Sequence, residues 1–145
     1  MLCNLTDAFK TKLNKLLFYI DFDHFRNHGQ SITGLQYCAI SWGPVPNNFN
    51  LLFDHLVQLK YLNHEYHVFP YGYEGEKFLP RDLTGEQLCK LTESESKSVD
   101  YVVRKIGSLN SAQISELSHK EKGWIDNKDI NARISYEYSF DLEAI

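Results

Sequence analysis

The chain has 145 residues, 43% of them hydrophobic and 14% aromatic, which suits one domain with a substantial core. Net charge is −4 and the pI near 5.8, with the basic residues scattered; that speaks against a phosphate-tracking surface and against nucleic-acid binding by this domain alone. Three widely spaced cysteines (Cys3, Cys38, Cys89), without a Cys-x-x-Cys pair, argue against a disulfide framework or zinc knuckle and read as reduced thiols.

The N-terminus lacks a charged region followed by an unbroken apolar run, so no signal peptide is expected. Asp21, Asp23 and His24 interrupt the longest apolar stretch, so no membrane span is expected either. The expected setting is cytoplasmic.

Thr6 is the expected N-cap of a first helix, with Asp7 helping its dipole. Along it, Phe9, Leu13, Leu16, Leu17 and Ile20 recur at three- and four-residue steps, and Tyr19, Phe22 and Phe25 widen the stripe. A helix apolar on most sides belongs in the middle of a domain. It should run to about Asn27, with Gly29 as the residue that closes it.

A short extended piece, Gln36 to Ile40, leads to Trp42-Gly43-Pro44-Val45-Pro46. Each proline fixes itself and restricts its predecessor, which predicts a stiff extended elbow. Asn47 or Asn48 should cap a second helix carrying Phe49, Leu52, Phe53, Leu56 and Leu59, ending near Asn63. Glu65 to Leu79 reads as a hairpin turning around Tyr71 to Glu76, on the strength of its glycines.

Pro80 to Gly85 reads as a linker closed by a capping box from Thr84 to Gln87. A second box, Thr92 to Glu95, opens a third helix with Val99, Val102, Val103 and Ile106 inward and Gly107 as its stop. A short helix carries Ile114 and Leu117. Arg133 to Phe140 alternates over eight positions and predicts a strand with one buried face. The expected class is mainly α (α+β): a compact helical domain with a buried central helix, a small hairpin and a C-terminal strand.

Two groups invite chemistry. Asp21, His24 and His28 share one side of the first helix at i, i+3 and i+7, a spacing that suits metal ligands. The glutamate of zinc-protease helices is absent, and polar residues at the solvent rim of a buried helix explain them more simply. No metal or other cofactor is expected.

Ser118-His119-Lys120-Glu121 places nucleophile, base and acid side by side, but triads are assembled from separate segments. Ser118 with Glu121 also fits a capping box for a short helix bearing Trp124. No phosphate-cradling glycine loop occurs. The residue-level expectation is a domain without a catalytic centre.

Motifs in series carry a resemblance. Lys12-Leu13-Asn14-Lys15-Leu16-Leu17-Phe18-Tyr19-Ile20-Asp21-Phe22 comes first, then Ser31-Ile32-Thr33-Gly34-Leu35 before Tyr37, then Gly43-Pro44-Val45-Pro46. Leu117-Ser118-His119 through Trp124 follows near the end. Together they resemble the Panacea antitoxin domain, also called SocA-like, over Lys12 to about Asn131. Trp42 stands where the family most often has Tyr.

The resemblance implies an antitoxin of a bacterial or phage pair that neutralises its cognate toxin by direct contact. One branch of the family acts as a proteolytic adaptor, so a cytosolic protease is a second implied partner. Some relatives carry an N-terminal helix-turn-helix or zinc-binding region, which leaves open that this single domain, residues 1–145, is the C-terminal part of a longer regulator.

Lys15, Leu16, Tyr19, Asp21, Thr33, Gly34, Gly43 and Ser118 read as architectural. Trp42, Pro44, Val45, Pro46, His119, Glu121 and Trp124 are the expected partner-binding set, lining one groove where the elbow meets the Ser118–Trp124 segment. Two other readings stand beside this one. The first is a transcriptional regulator in which this is the sensing half. The second is a small hydrolase using His119 with Glu121, or a metal at His24 and His28.

Overall fold

In the computed structural model, residues 8–81 and 90–145 are described. The expected caps at Thr6 and at Thr84–Gln87, and Cys3 and Cys89, lie outside them.

The first helix, α1, spans Lys10–His28. Gly29 takes φ 75° and its N–H returns to the Phe25 carbonyl at 2.8 Å, the left-handed closure expected of it. Helices, a strand and the C-terminal turn pack around α1, so it is buried on nearly every side from Lys12 to His24. Burial extends to Lys12, Asn14, Lys15, Asp21, Asp23 and His24. Asp21 and His24 are therefore not rim residues; this corrects the simpler sequence reading of that trio.

The elbow is a strand. β1 (Tyr37–Ile40) and β2 (Gly43–Pro46) form an antiparallel hairpin turning at Ser41-Trp42, and β5 (Arg133–Ile134) pairs on the far side of β1. The Asn47 N–H reaches the Gln36 carbonyl, which fixes Tyr37↔Pro46 and Ala39↔Pro44 as the pairs that exchange no ladder bonds. Both prolines thus sit on an edge strand where an N–H would point away from its partner, the place a sheet tolerates them.

Helix α2 spans Phe49–Gln58, shorter than expected, and buries Phe53. Asn48 precedes it at φ 56° without a side-chain capping bond, so its role is its tolerance of left-handed backbone rather than capping. β3 (Leu62–Val68) and β4 (Glu74–Pro80) form the second hairpin, in register from Leu62↔Pro80 to Val68↔Glu74. Ala8 and Phe9 bind the outer edge of β4 through Phe78 N–H to Ala8 C=O at 3.0 Å.

Helix α3 (Glu93–Ile106) opens on the expected reciprocal Thr92–Glu95 box and buries Val102 and Ile106. The helix stops at Gly107 as expected, and that residue stays right-handed at φ −68°, unlike Gly29. Helix α4 (Ser111–Ser118) has a box the sequence reading missed, Asn110 with Gln113. The short α5 covers Lys122–Ile125.

The C-terminal strand is only Arg133–Ile134, after which Tyr136–Asp141 winds into 3₁₀ turns. The Ser135 hydroxyl accepts the Glu137 N–H, a local bond that competes with the strand ladder.

Two apolar clusters meet along α1. The larger gathers Leu16, Phe18, Tyr19, Ile20, Phe22, Tyr37, Val102, Ile106, Ile114 and Ile134; the smaller holds Ala8, Leu13, Phe53, Leu62 and Phe78. The class is α+β with helix predominant, as the sequence implied. No helix among the described residues is long and apolar enough to cross a membrane.

Candidate functional site

Asp21 binds the loop that follows its own helix. Oδ1 accepts the Ile32 and Thr33 N–H groups at 2.9 Å each; Oδ2 accepts the Tyr37 hydroxyl at 2.6 Å and the Thr33 hydroxyl. A buried carboxylate needs compensation of this kind, and four donors supply it. Gly34, at φ 70°, lets the chain turn out of this clamp toward β1. Burial and the Asp21 charge raise the Tyr37 hydroxyl well above its ordinary range.

Lys15 is buried six residues before Asp21, with Nζ donating to the Pro44 carbonyl at 3.0 Å. Burial lowers it to about 7, with Cys38 pulling the other way. A β-carbon at Gly43 would lie 2.7 Å from Ser118 Oγ and 2.8 Å from Lys15 Nζ, so three motifs touch at one point. Only glycine, here at φ 100°, fits it.

Glu121 also faces inward. Its carboxylate accepts the Tyr19 hydroxyl at 3.0 Å and the Glu143 and Ala144 N–H groups at 3.1 and 3.2 Å. Burial raises this carboxyl and, with the Glu121 charge, the Tyr19 hydroxyl; the bonds Glu121 accepts oppose its own shift. The expected Ser118–Glu121 capping box does not form, because Glu121 is spent on the C-terminus and Ser118 Oγ donates to the Ser115 carbonyl at 2.8 Å.

Ser118, His119 and Glu121 therefore do not converge. His119 instead stacks on Trp124, centroids 4.2 Å apart, and reaches the Trp42 backbone. Burial and Lys15 lower it. The Trp124 indole donates to the Ile40 carbonyl at 2.8 Å, and Lys128 Nζ stands 4.9 Å from its ring centre.

The elbow and the Ser118–Trp124 segment thus lie against one another, but most of the expected partner-binding set is interior. Pro44, Val45 and Pro46 are buried in β2, and Glu121 is buried beneath the C-terminus. Trp42, at the hairpin turn, is 75% exposed. His119 and Trp124 are half-buried beside it.

The trio Asp21, His24 and His28 does not gather either. His24 Nδ1 faces Ser98 Oγ at 3.3 Å, and its ring stacks on His28 with centroids 4.4 Å apart, while Asp21 is held by the loop. Among the described residues no group of three or more His, Cys, Asp or Glu is placed to hold a metal ion.

A second exposed surface went unforeseen. The tip of the β3–β4 hairpin presents Tyr66, Val68, Tyr71 and Tyr73, with Tyr71 99% exposed. The sequence placed Tyr66 and Val68 in a strand and Tyr71 and Tyr73 in the turn; the density of rings around that glycine turn was the available signal.

Neither a curated protein nor a solved structure matches the chain. The profile of the family described as antitoxin SocA-like, Panacea domain, matches residues 13–125, from α1 through Ile125 at the end of α5. That span takes in the Asp21 clamp, the Lys15–Gly43–Ser118 contact and the Tyr19–Glu121 bond, and on this match the chain belongs to the SocA-like Panacea antitoxin domain family.

Proposed function

We propose that this chain neutralises a cognate toxin by direct protein contact, with Trp42 at the centre of one contact surface and His119 and Trp124 supporting it. Exposure of Trp42 on a hairpin fixed from beneath is the observation that carries this reading. β1 and β2 are tied to α1 through Lys15 and to α5 through Trp124, so the indole is presented on a rigid base. Tryptophan is enriched at interface hot spots, and a rigid base lowers the ordering cost of binding. The motif carboxylates face inward, holding the loop and the C-terminus, which leaves surface side chains to do the recognising.

The test expresses the neighbouring open reading frame alone and with this chain. Growth arrest relieved on co-expression, with a purified one-to-one or higher complex, supports the reading; arrest that persists beside soluble antitoxin rejects it. Trp42→Ala should weaken the complex at least tenfold, about 1.4 kcal/mol or more, without moving the thermal midpoint. Following toxin abundance after a translation block separates two modes. Stable toxin held in the complex marks occlusion, and accelerated loss marks delivery to a protease.

A further inference from the structure

The β3–β4 hairpin holds a second feature. A cleft of about 290 Å³ opens between α1, the hairpin and the first residue of α4, bounded by Phe9, Phe69, Tyr73, Glu74, Gly75 and Ser111. Phe9 and Phe69 pack with ring centres 5.2 Å apart and planes inclined at 42°, and Tyr73 is 74% exposed beside them. Gly75 lets these rings approach: a β-carbon there would meet Phe69 at 2.8 Å and Phe9 at 3.0 Å.

Lys10, Glu74 and Glu76 all line this cleft, one cation to two carboxylates, so its charge is unbalanced. Glu76 is bound by Lys10 at 2.7 Å, but the exposed Glu74 has no cationic partner among the described residues. The Ser111 hydroxyl is buried there without a hydrogen-bond partner. Rings, an unpaired carboxylate and an unsatisfied hydroxyl together match a long cationic side chain. Its stem lies along aromatic faces, its head meets the carboxylate, and its N–H groups supply the donors. Lys10 shows the same chemistry within the fold, its ammonium on Glu76 and 5.7 and 6.0 Å from the Phe49 and Phe78 ring centres.

We infer that this cleft receives an arginine or lysine side chain of the cognate toxin, so that the hairpin is a second contact beside Trp42. The inference rests on the antitoxin reading above and specifies the partner's chemistry. Helix α4 links the two places. Ser111 lines the cleft and Ser118 abuts Gly43, next to Trp42, seven residues or about 10 Å along the helix axis. One partner of ordinary interface size, about 800 Å² a side, spans both.

Two measurements test it. In the first, N-acetyl-arginine amide and, as control, N-acetyl-citrulline amide are titrated into the labelled protein and followed by amide NMR. The cleft predicts saturable shifts at Phe69, Tyr73, Glu74 and Gly75 for arginine, at least fivefold weaker for citrulline. Equal response to both probes, or none at these residues, overturns it.

The second uses Glu74→Lys and Tyr73→Ala, both at exposed positions, in the toxin co-expression assay. Loss of rescue with an unchanged thermal midpoint supports the inference. Full rescue by both variants overturns it while leaving the antitoxin reading intact. Failure of the unaltered chain to rescue removes the antitoxin reading, and this inference with it.

Discussion

At the scale of single residues, the polar members of the family's motifs, Lys15, Asp21 and Glu121, are buried and bound in part to backbone. Asp21 holds the Ile32–Thr33 loop by charge-assisted bonds that a neutral amide reproduces only in part. Asp21→Asn should therefore cost about 2 kcal/mol, read as a lower urea midpoint at pH 7 with an unchanged m-value. An unmoved midpoint refutes the clamp.

Lys15 gives a pH signature. Its folded value of about 7 lies below the ordinary 10.5, so between these the unfolded chain carries a proton that the folded chain lacks. Stability then rises with pH in that window, by up to about 1.4 kcal/mol per unit.

The other shifted groups act mostly outside the lower part of that window, between about pH 7 and 8. His24 and His119 are lowered from 6.5, and their contribution in the same sense is complete by about pH 7. Cys38 and the buried tyrosines are raised from 9.0 and 10.0, so the folded chain keeps protons the unfolded chain loses and stability falls at the alkaline end. Urea midpoints from pH 7 to 8 should climb in the natural chain and stay flat in Lys15→Met. A climb of equal slope in both would place the effect elsewhere.

At the scale of elements, most local sequence signals held, the Asn48 cap excepted, and those with a distant competing partner failed. The Thr92–Glu95 box and the Gly29 closure are contained within a few residues, and both were legible. The Ser118–Glu121 box was misread because Tyr19, 102 positions away, competes for the Glu121 carboxylate. Arg133–Phe140 alternates like a strand, yet only two of its residues find a ladder partner on β1. The elbow was correctly extended, but its pairing to β1 could not be read from prolines alone.

Gly43 is the sharpest case of an element fixed by contact. At φ 100° with Ser118 Oγ and Lys15 Nζ in the space of a side chain, Gly43→Ala should cost about 3 kcal/mol. Gly34→Ala, at φ 70° with open space around it, should cost less. Thermal denaturation of the pair ranks them, and equal losses would mean that backbone strain alone is at work.

At the scale of the whole molecule, α1 joins two cores that share little else. The smaller one, under α2 and the β3–β4 hairpin, rests on Phe53 and Phe78 stacked with centroids 4.6 Å apart. Phe78→Ala should cost about 3–5 kcal/mol. Amide hydrogen exchange should speed up over residues 49–80 well before residues 93–118. Uniform acceleration along the chain would show a single cooperative unit instead. On the proposed reading, a hairpin seated on the smaller core and carrying exposed aromatic rings would adjust to a partner while the Trp42 surface stays fixed.

Sequence pattern alone placed α1 at the centre, opened α3 at its capping box, turned one hairpin at glycines and carried the family resemblance. Those features follow from periodicity, capping and restricted backbone, each set by neighbours a few residues apart. Which motif residues face solvent was set by long-range packing. It buried Pro44, Val45, Pro46 and Glu121, left Trp42 outside, and placed Tyr73 and Glu74 around an open cleft. Exposure depends on what packs against a residue from elsewhere in the chain, and local pattern carries no record of that.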